Sequence, residues 1–115
     1  MYYSGSICAM ESVNYLERLM RIESHETVDE IQQFLLDTID DAKLHDTGCV
    51  HAEKSGSTDG PEIVLNTHMD VVSPHIEFER DGDVIRGRGA CDAKGCLAPM
   101  VTAFQRCDLD TGTLK

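Results

Sequence analysis

His68 and Asp70 stand two apart in Asn66-Thr67-His68-Met69-Asp70, so in an extended segment their side chains share one face. The short apolar run Ile63-Val64-Leu65 just upstream reads as a buried strand. In open α/β sheets, functional groups gather beyond the carboxyl ends of strands. Asp92 lies on a second, glycine-rich stretch, Gly87-Arg88-Gly89-Ala90-Cys91-Asp92-Ala93-Lys94-Gly95, which could fold back toward that strand end. One imidazole with carboxylates is donor chemistry for zinc or a similar divalent ion. Taken as residues alone, these positions read as half of a metal site.

His-x-Asp at a strand end, followed by Gly-Arg-Gly-Ala-x-Asp-x-Lys-Gly before a helix, resembles the co-catalytic zinc aminoacylase and exopeptidase family. The stretch from Leu16 to Ser24 is similar to that family's first helix and the loop after it. The resemblance implies that His68 is a metal ligand and that Asp92 is the carboxylate bridging two metals. It implies that Asp70, placed among the catalytic residues, stands behind His68 to orient the imidazole and raise its basicity. The Asp92–Ala93 peptide bond is expected to be cis, and Arg88 and Lys94 to support the loop. The cofactor implied is Zn2+, two ions per complete site, with Co2+ as a substitute. The activity implied is a zinc-dependent amidohydrolase that removes an acyl group from an N-acyl amino acid, of the succinyl-diaminopimelate desuccinylase or acetylornithine deacetylase type. Two metals would lower the pKa of a shared water and a glutamate would take its proton. A di-, amino- or carboxypeptidase of the same family is the second reading, a non-catalytic remnant the third, and a thiol function of Cys91 and Cys96 the last.

Against the family pattern, the catalytic Glu-Glu pair, a later acidic ligand, a C-terminal histidine ligand and a dimerisation domain find no match here. Residues 1–115 are therefore expected to be the N-terminal portion of a catalytic metallohydrolase domain, inactive alone, whose full-length form is a homodimer. The substrate would be a small N-acyl amino acid or a short peptide.

The charge balance is 21 acidic against 10 basic residues, a net −11. That argues against nucleic acid and anionic membranes, which need basic patches. Asp37 with Asp40-Asp41, and Glu77 to Asp83, read as solvated faces; so acidic and lysine-poor a chain fits a salt-loving source or an ordinary acidic cytosolic protein. No apolar run reaches the length of a membrane span, and Met1 to Ser6 lacks signal-peptide features, so a cytoplasmic location is expected. Five cysteines (Cys8, Cys49, Cys91, Cys96, Cys107) without a Cys-x-x-Cys pair exclude a zinc finger. They read as free thiols, mostly buried. His25, His45 and His51 read as surface residues, and His75 as a residue that could line a substrate pocket.

These groups need a scaffold. An apolar stripe of Val13, Leu16, Leu19 and Met20 predicts a helix from about residue 11 to 22. Thr27 with Glu30 has the capping-box pattern and opens a second helix with apolar residues from Val28 to Ala42. Residues 49–53 read as a strand, 54–61 as a turn region and 62–66 as the buried strand delivering His68. Residues 78–80 and 83–86 read as a hairpin about Asp81-Gly82. A last helix is expected from about residue 95 to 107, burying Leu97, Met100, Val101 and Phe104, with Pro99 near its first turn. The fold class expected is α/β, a three-layer α/β/α sandwich with a mixed sheet, cut short.

Overall fold

A computed structural model describes residues 11–115; Cys8 lies outside the described residues. Among the described residues, two helices, six short strands, a third helix and a seventh strand follow in order, an α/β arrangement. Helix α1, Ser12–Met20, buries Tyr15, Leu19 and Met20 along one stripe. Helix α2, Asp29–Thr38, buries Ile31 and Leu35. Helix α3, Lys94–Arg106, carries Leu97, Ala98 and Val101 into the same core. Each helix is amphipathic at helical spacing, so the three faces close on one another. Tyr15 seals one edge of this core. Its hydroxyl bonds the Thr38 hydroxyl at 2.7 Å, and burial pushes its pKa up to about 12. Among the described residues, no helix is long and apolar enough to cross a membrane.

Strands β1 (Lys43–Leu44) and β2 (Val50–His51) pair antiparallel. Strands β3 (Lys54–Ser55), β4 (Thr58–Ile63) and β7 (Thr111–Leu114) form a mixed sheet in the order β3-β7-β4. β7 is antiparallel to β3 and parallel to β4. Pairing with β7 runs on past β4, with Lys115 N–H donating to Ile63 O and Leu65 N–H to Lys115 O. β5 (Glu79–Asp81) and β6 (Val84–Arg86) are a hairpin. The parallel β4–β7 pair, with α3 in the connection between them, is a crossover unit.

Several expectations need correction. The turn region 54–61 holds β3 and most of β4. Its glycines serve close backbone approach, since a Cβ on Gly60 would meet Gly112 N at 2.8 Å. The apolar run after β4 is not buried: Ile63 is 55% exposed and Val64 62%. β4 pairs with β7 on one side only, while the core collects among the helices. Asp81 pairs with Val84, so the hairpin loop is Gly82-Asp83. Only Gly82 in that loop has positive φ, +61°, which suits a type II′ turn with glycine first. The capping box does not close. Thr27 Oγ1 accepts the Asp29 N–H at 3.3 Å, and the helix stops at Thr38. Pro99 sits mid-helix on the exposed face of α3. Of the described cysteines none is buried: Cys49, Cys91 and Cys96 are exposed and Cys107 intermediate; they lie just before β2, on the loop before α3, on α3 and just past its end. The acidic faces are solvated as expected, with Asp37, Asp40, Asp41, Glu77, Glu79, Asp81 and Asp83 all exposed.

Candidate metal centre

His68 follows the β4–β7 ladder by a few residues of extended chain, and Asp92 ends the glycine-rich loop just before α3. They meet: His68 Nε2 lies 2.9 Å from Asp92 Oδ1. On the other edge of the ring, Nδ1 lies 2.9 Å from the Asp70 backbone carbonyl and 3.2 Å from Asp70 Oδ1. All three residues singled out by sequence thus converge. Asp70 meets the ring more closely through its carbonyl than through its carboxylate.

A carbonyl oxygen and a carboxylate both accept, so each contact favours a protonated ring nitrogen. The pKa of His68 is accordingly raised, chiefly by the Asp92 hydrogen bond and then by the Asp70 carbonyl. The three side chains are open to solvent, His68 at 50% and Asp92 at 86% exposure. The donor set fits a divalent ion in its chemistry: an imidazole nitrogen and a carboxylate oxygen lie 2.9 Å apart, and the second ring nitrogen is held from behind, as metal-ligating histidines require. Among the described residues no group of three or more such donors is poised around one ion.

The surrounding cleft, about 410 Å³, is walled by Val71, Val72, Arg86, Arg88 and Cys91 beside His68 and Asp92. Arg88 supports the loop as expected. Its Nε donates to Pro74 O at 2.9 Å and its backbone N–H to Ile76 O at 3.0 Å. Lys94 does the same from below, with Nζ donating to Leu19 O at 3.0 Å and Ile22 O at 2.7 Å. Burial lowers its pKa, with Glu30 opposing. The Asp92–Ala93 peptide is cis, as expected, and Ser73–Pro74 is cis too. His75 is outside the cleft wall and faces Glu77 at 3.6 Å. His51 is exposed, and His45 is exposed beside Thr47. His25 is less exposed than expected, and its Nδ1 is buried without a hydrogen-bond partner.

Sequence reasoning missed Ser24, whose hydroxyl donates to the Met69 carbonyl at 3.0 Å. The signal available was a lysine in the first turn of α3, where the helix dipole disfavours a cation. A cation there needs acceptors elsewhere, and Lys94 finds them at Leu19 and Ile22, five and two residues before Ser24.

The family model described as peptidase family M20/M25/M40 matches residues 64–115, the stretch holding His68, Asp70, Asp92 and α3. A Pyrococcus furiosus protein named for LysW-lysine and LysW-ornithine hydrolysis is 37% identical over 102 residues, covering 84% of this chain and 31% of that protein. A protein of Ajellomyces dermatitidis named as a carboxypeptidase is 33% identical over 113 residues, covering 85% of this chain and 26% of that protein. A peptidase M20 domain-containing protein of Schizosaccharomyces pombe is 41% identical over 49 residues, 43% of this chain and 12% of its own length. The chain thus spans under a third of the length of these relatives. With the paired motifs and these likenesses together, the chain belongs to the peptidase family M20/M25/M40.

Proposed function

We propose that this chain supplies part of the metal centre of a hydrolase acting on amide bonds. His68 Nε2 and the Asp92 carboxylate would hold a divalent ion, zinc first and cobalt as a substitute. The convergence of these two atoms at 2.9 Å, with Nδ1 fixed from behind by Asp70, is the observation that carries this reading. A bound ion supplies Lewis acidity toward an amide carbonyl and toward water. The chain's own groups do the rest: Asp70 sets the ring plane, while Arg88 and Lys94 hold the loop. Arg86 brings a cation to the wall of the same cleft, which suits a substrate bearing a carboxylate. The substrate we favour is an N-acyl amino acid, with deacylation as the reaction. Peptide hydrolysis is the second reading, supported by the name of the carboxypeptidase-like relative. The three-layer sandwich and homodimer implied by the resemblance belong to the same proposal.

The test is zinc binding. The full chain and its His68→Ala and Asp92→Ala variants are dialysed to equilibrium against zinc and assayed for bound metal. The wild type should bind zinc weakly, and both variants should bind less. A parallel assay splices residues 11–115 into the Pyrococcus furiosus relative in place of its aligned segment and measures release from N-acetyl and N-succinyl amino acids. Equal zinc in all three proteins would refute the metal-centre reading.

A further inference from the structure

The two halves of the site share no strand pairing with each other, yet both grip one short piece of chain. That piece is Leu19–Ser24, the last turn of α1 and the residues after it. Ser24 is 1% exposed and fastens the His68 half twice. Its hydroxyl donates to Met69 O at 3.0 Å, and its carbonyl accepts the Val71 N–H at 3.1 Å. These partners are the carbonyl before Asp70 and the amide after it. Ser24 therefore clamps the peptide unit whose own carbonyl orients the His68 ring.

Lys94, also 1% exposed, fastens the Asp92 half to the same piece. It lies two residues after Asp92, and its ammonium bridges Leu19 O and Ile22 O. Leu19 O also accepts the Ile22 N–H at 3.2 Å, and carbonyls at a helix C-terminus carry partial negative charge, so a buried cation suits this end of α1. The stem also packs on the loop: a Cβ on Gly89 would lie 2.9 Å from Lys94 Cδ. Gly89 in turn accepts the Gly95 N–H through its carbonyl at 3.1 Å.

We infer that Ser24 and Lys94 are positioning residues, and that Leu19–Ser24 is the gauge that fixes the separation of His68 Nε2 from Asp92 Oδ1. The geometric claim stands on hydrogen bonds within this chain. Its consequence for metal affinity rests on the proposed metal-centre reading.

The experiment compares the full chain with Ser24→Ala, Lys94→Met and a matched control, Tyr15→Phe. The control also deletes one hydroxyl hydrogen bond, that to Thr38, but on the side of the core facing α2. The first readout needs no metal. Long-range 1H–15N spectra report whether each ring nitrogen of His68 is protonated and hydrogen-bonded. Ser24→Ala and Lys94→Met should move both His68 signals toward those of the exposed His51, and Tyr15→Phe should leave them in place. His68 signals unchanged in Ser24→Ala, or moved equally by Tyr15→Phe, would overturn the inference. Should Lys94→Met fail to fold, Ser24→Ala decides, since it removes a single oxygen. The second readout is cobalt binding by visible absorption, where Ser24→Ala should weaken the dissociation constant by about tenfold, the lower end for groups behind a ligand. Shifted His68 signals with no cobalt bound by the wild type would uphold the gauge and sink the metal centre. Unshifted signals with equal, tight cobalt binding would do the reverse.

Discussion

Lowering the pH should weaken divalent-metal binding by the amount that one proton accounts for. In the metal-free chain, His68 Nδ1 lies against the Asp70 carbonyl and Nε2 against the Asp92 carboxylate. Both contacts favour the imidazolium and raise its pKa, the Asp92 bond most. A metal needs the lone pair that the Nε2 proton occupies in the imidazolium, so below the His68 pKa one proton leaves for each ion bound. Below the pKa of His68, the apparent dissociation constant should then rise about tenfold per pH unit; above it, the dependence should flatten. Calorimetric titration with zinc in two buffers of different ionisation enthalpy counts the released protons directly. About one proton per ion is expected on the acid side and none above the pKa. The sign for the metal-free fold is opposite. A raised folded pKa means that the His68–Asp92 contribution is fully present below the unfolded value, about 6.5, and is lost as pH rises through the folded value. Because both side chains are largely solvent-exposed, that contribution should stay below about 1 kcal/mol. A dissociation constant independent of pH, with no protons released, would refute the assignment of Nε2 as a metal donor.

Asp92→Ala should remove measurable zinc binding in a dialysis assay, whereas Asp70→Asn keeps the backbone carbonyl at 2.9 Å from Nδ1 and should cost less than about tenfold. Equal losses would show that the Asp70 carboxylate, not its carbonyl, holds the ring. Gly95→Ala places a Cβ against the Ala90 carbonyl oxygen. It should cost about 1–3 kcal/mol by overcrowding, read by chemical denaturation, and an unchanged midpoint would contradict the close packing of loop on helix. Leu35→Ala removes a side chain that is 3% exposed and should cost about 2–5 kcal/mol. Loss of far-ultraviolet dichroism on heating should come at least about 8 °C earlier; a smaller shift would mean that the three helices do not share one core.

The convergence of His68, Asp70 and Asp92 was legible because two short motifs carry it and local spacing sets the face of each side chain. Helix α3 was legible within a residue at each end, since Leu97, Val101 and Phe104 repeat at helical spacing. Burial of the strand before His68 was not. An apolar run records what could be covered, not which neighbour covers it, and Ile63 and Val64 face solvent. The hairpin slipped by one residue because Asp81-Gly82 and Gly82-Asp83 are both acceptable loops, and register decided between them. Strands β3 and early β4 hid behind Ser, Gly and Asp, whose turn preference yields here to backbone contact with β7. The Ser24 clamp spans 45 residues of sequence, a distance at which no local pattern reports a partner.

The strand order has a consequence in time. β3 and β4 do not pair with each other; each pairs with β7, which is made last of the three. From Ile63 to Thr111 is 48 residues (111 − 63), which a ribosome adding about 5–20 residues per second covers in about 2–10 s. Throughout that interval β4 has both edges open, next to the apolar Ile63, Val64 and Leu65. Unpaired apolar edges are what chaperones bind and what neighbouring nascent chains can capture. Slow codons between β4 and β7 would lengthen this exposure, so yield of soluble chain should track translation speed over residues 64–110 more closely than over the helical residues 12–38.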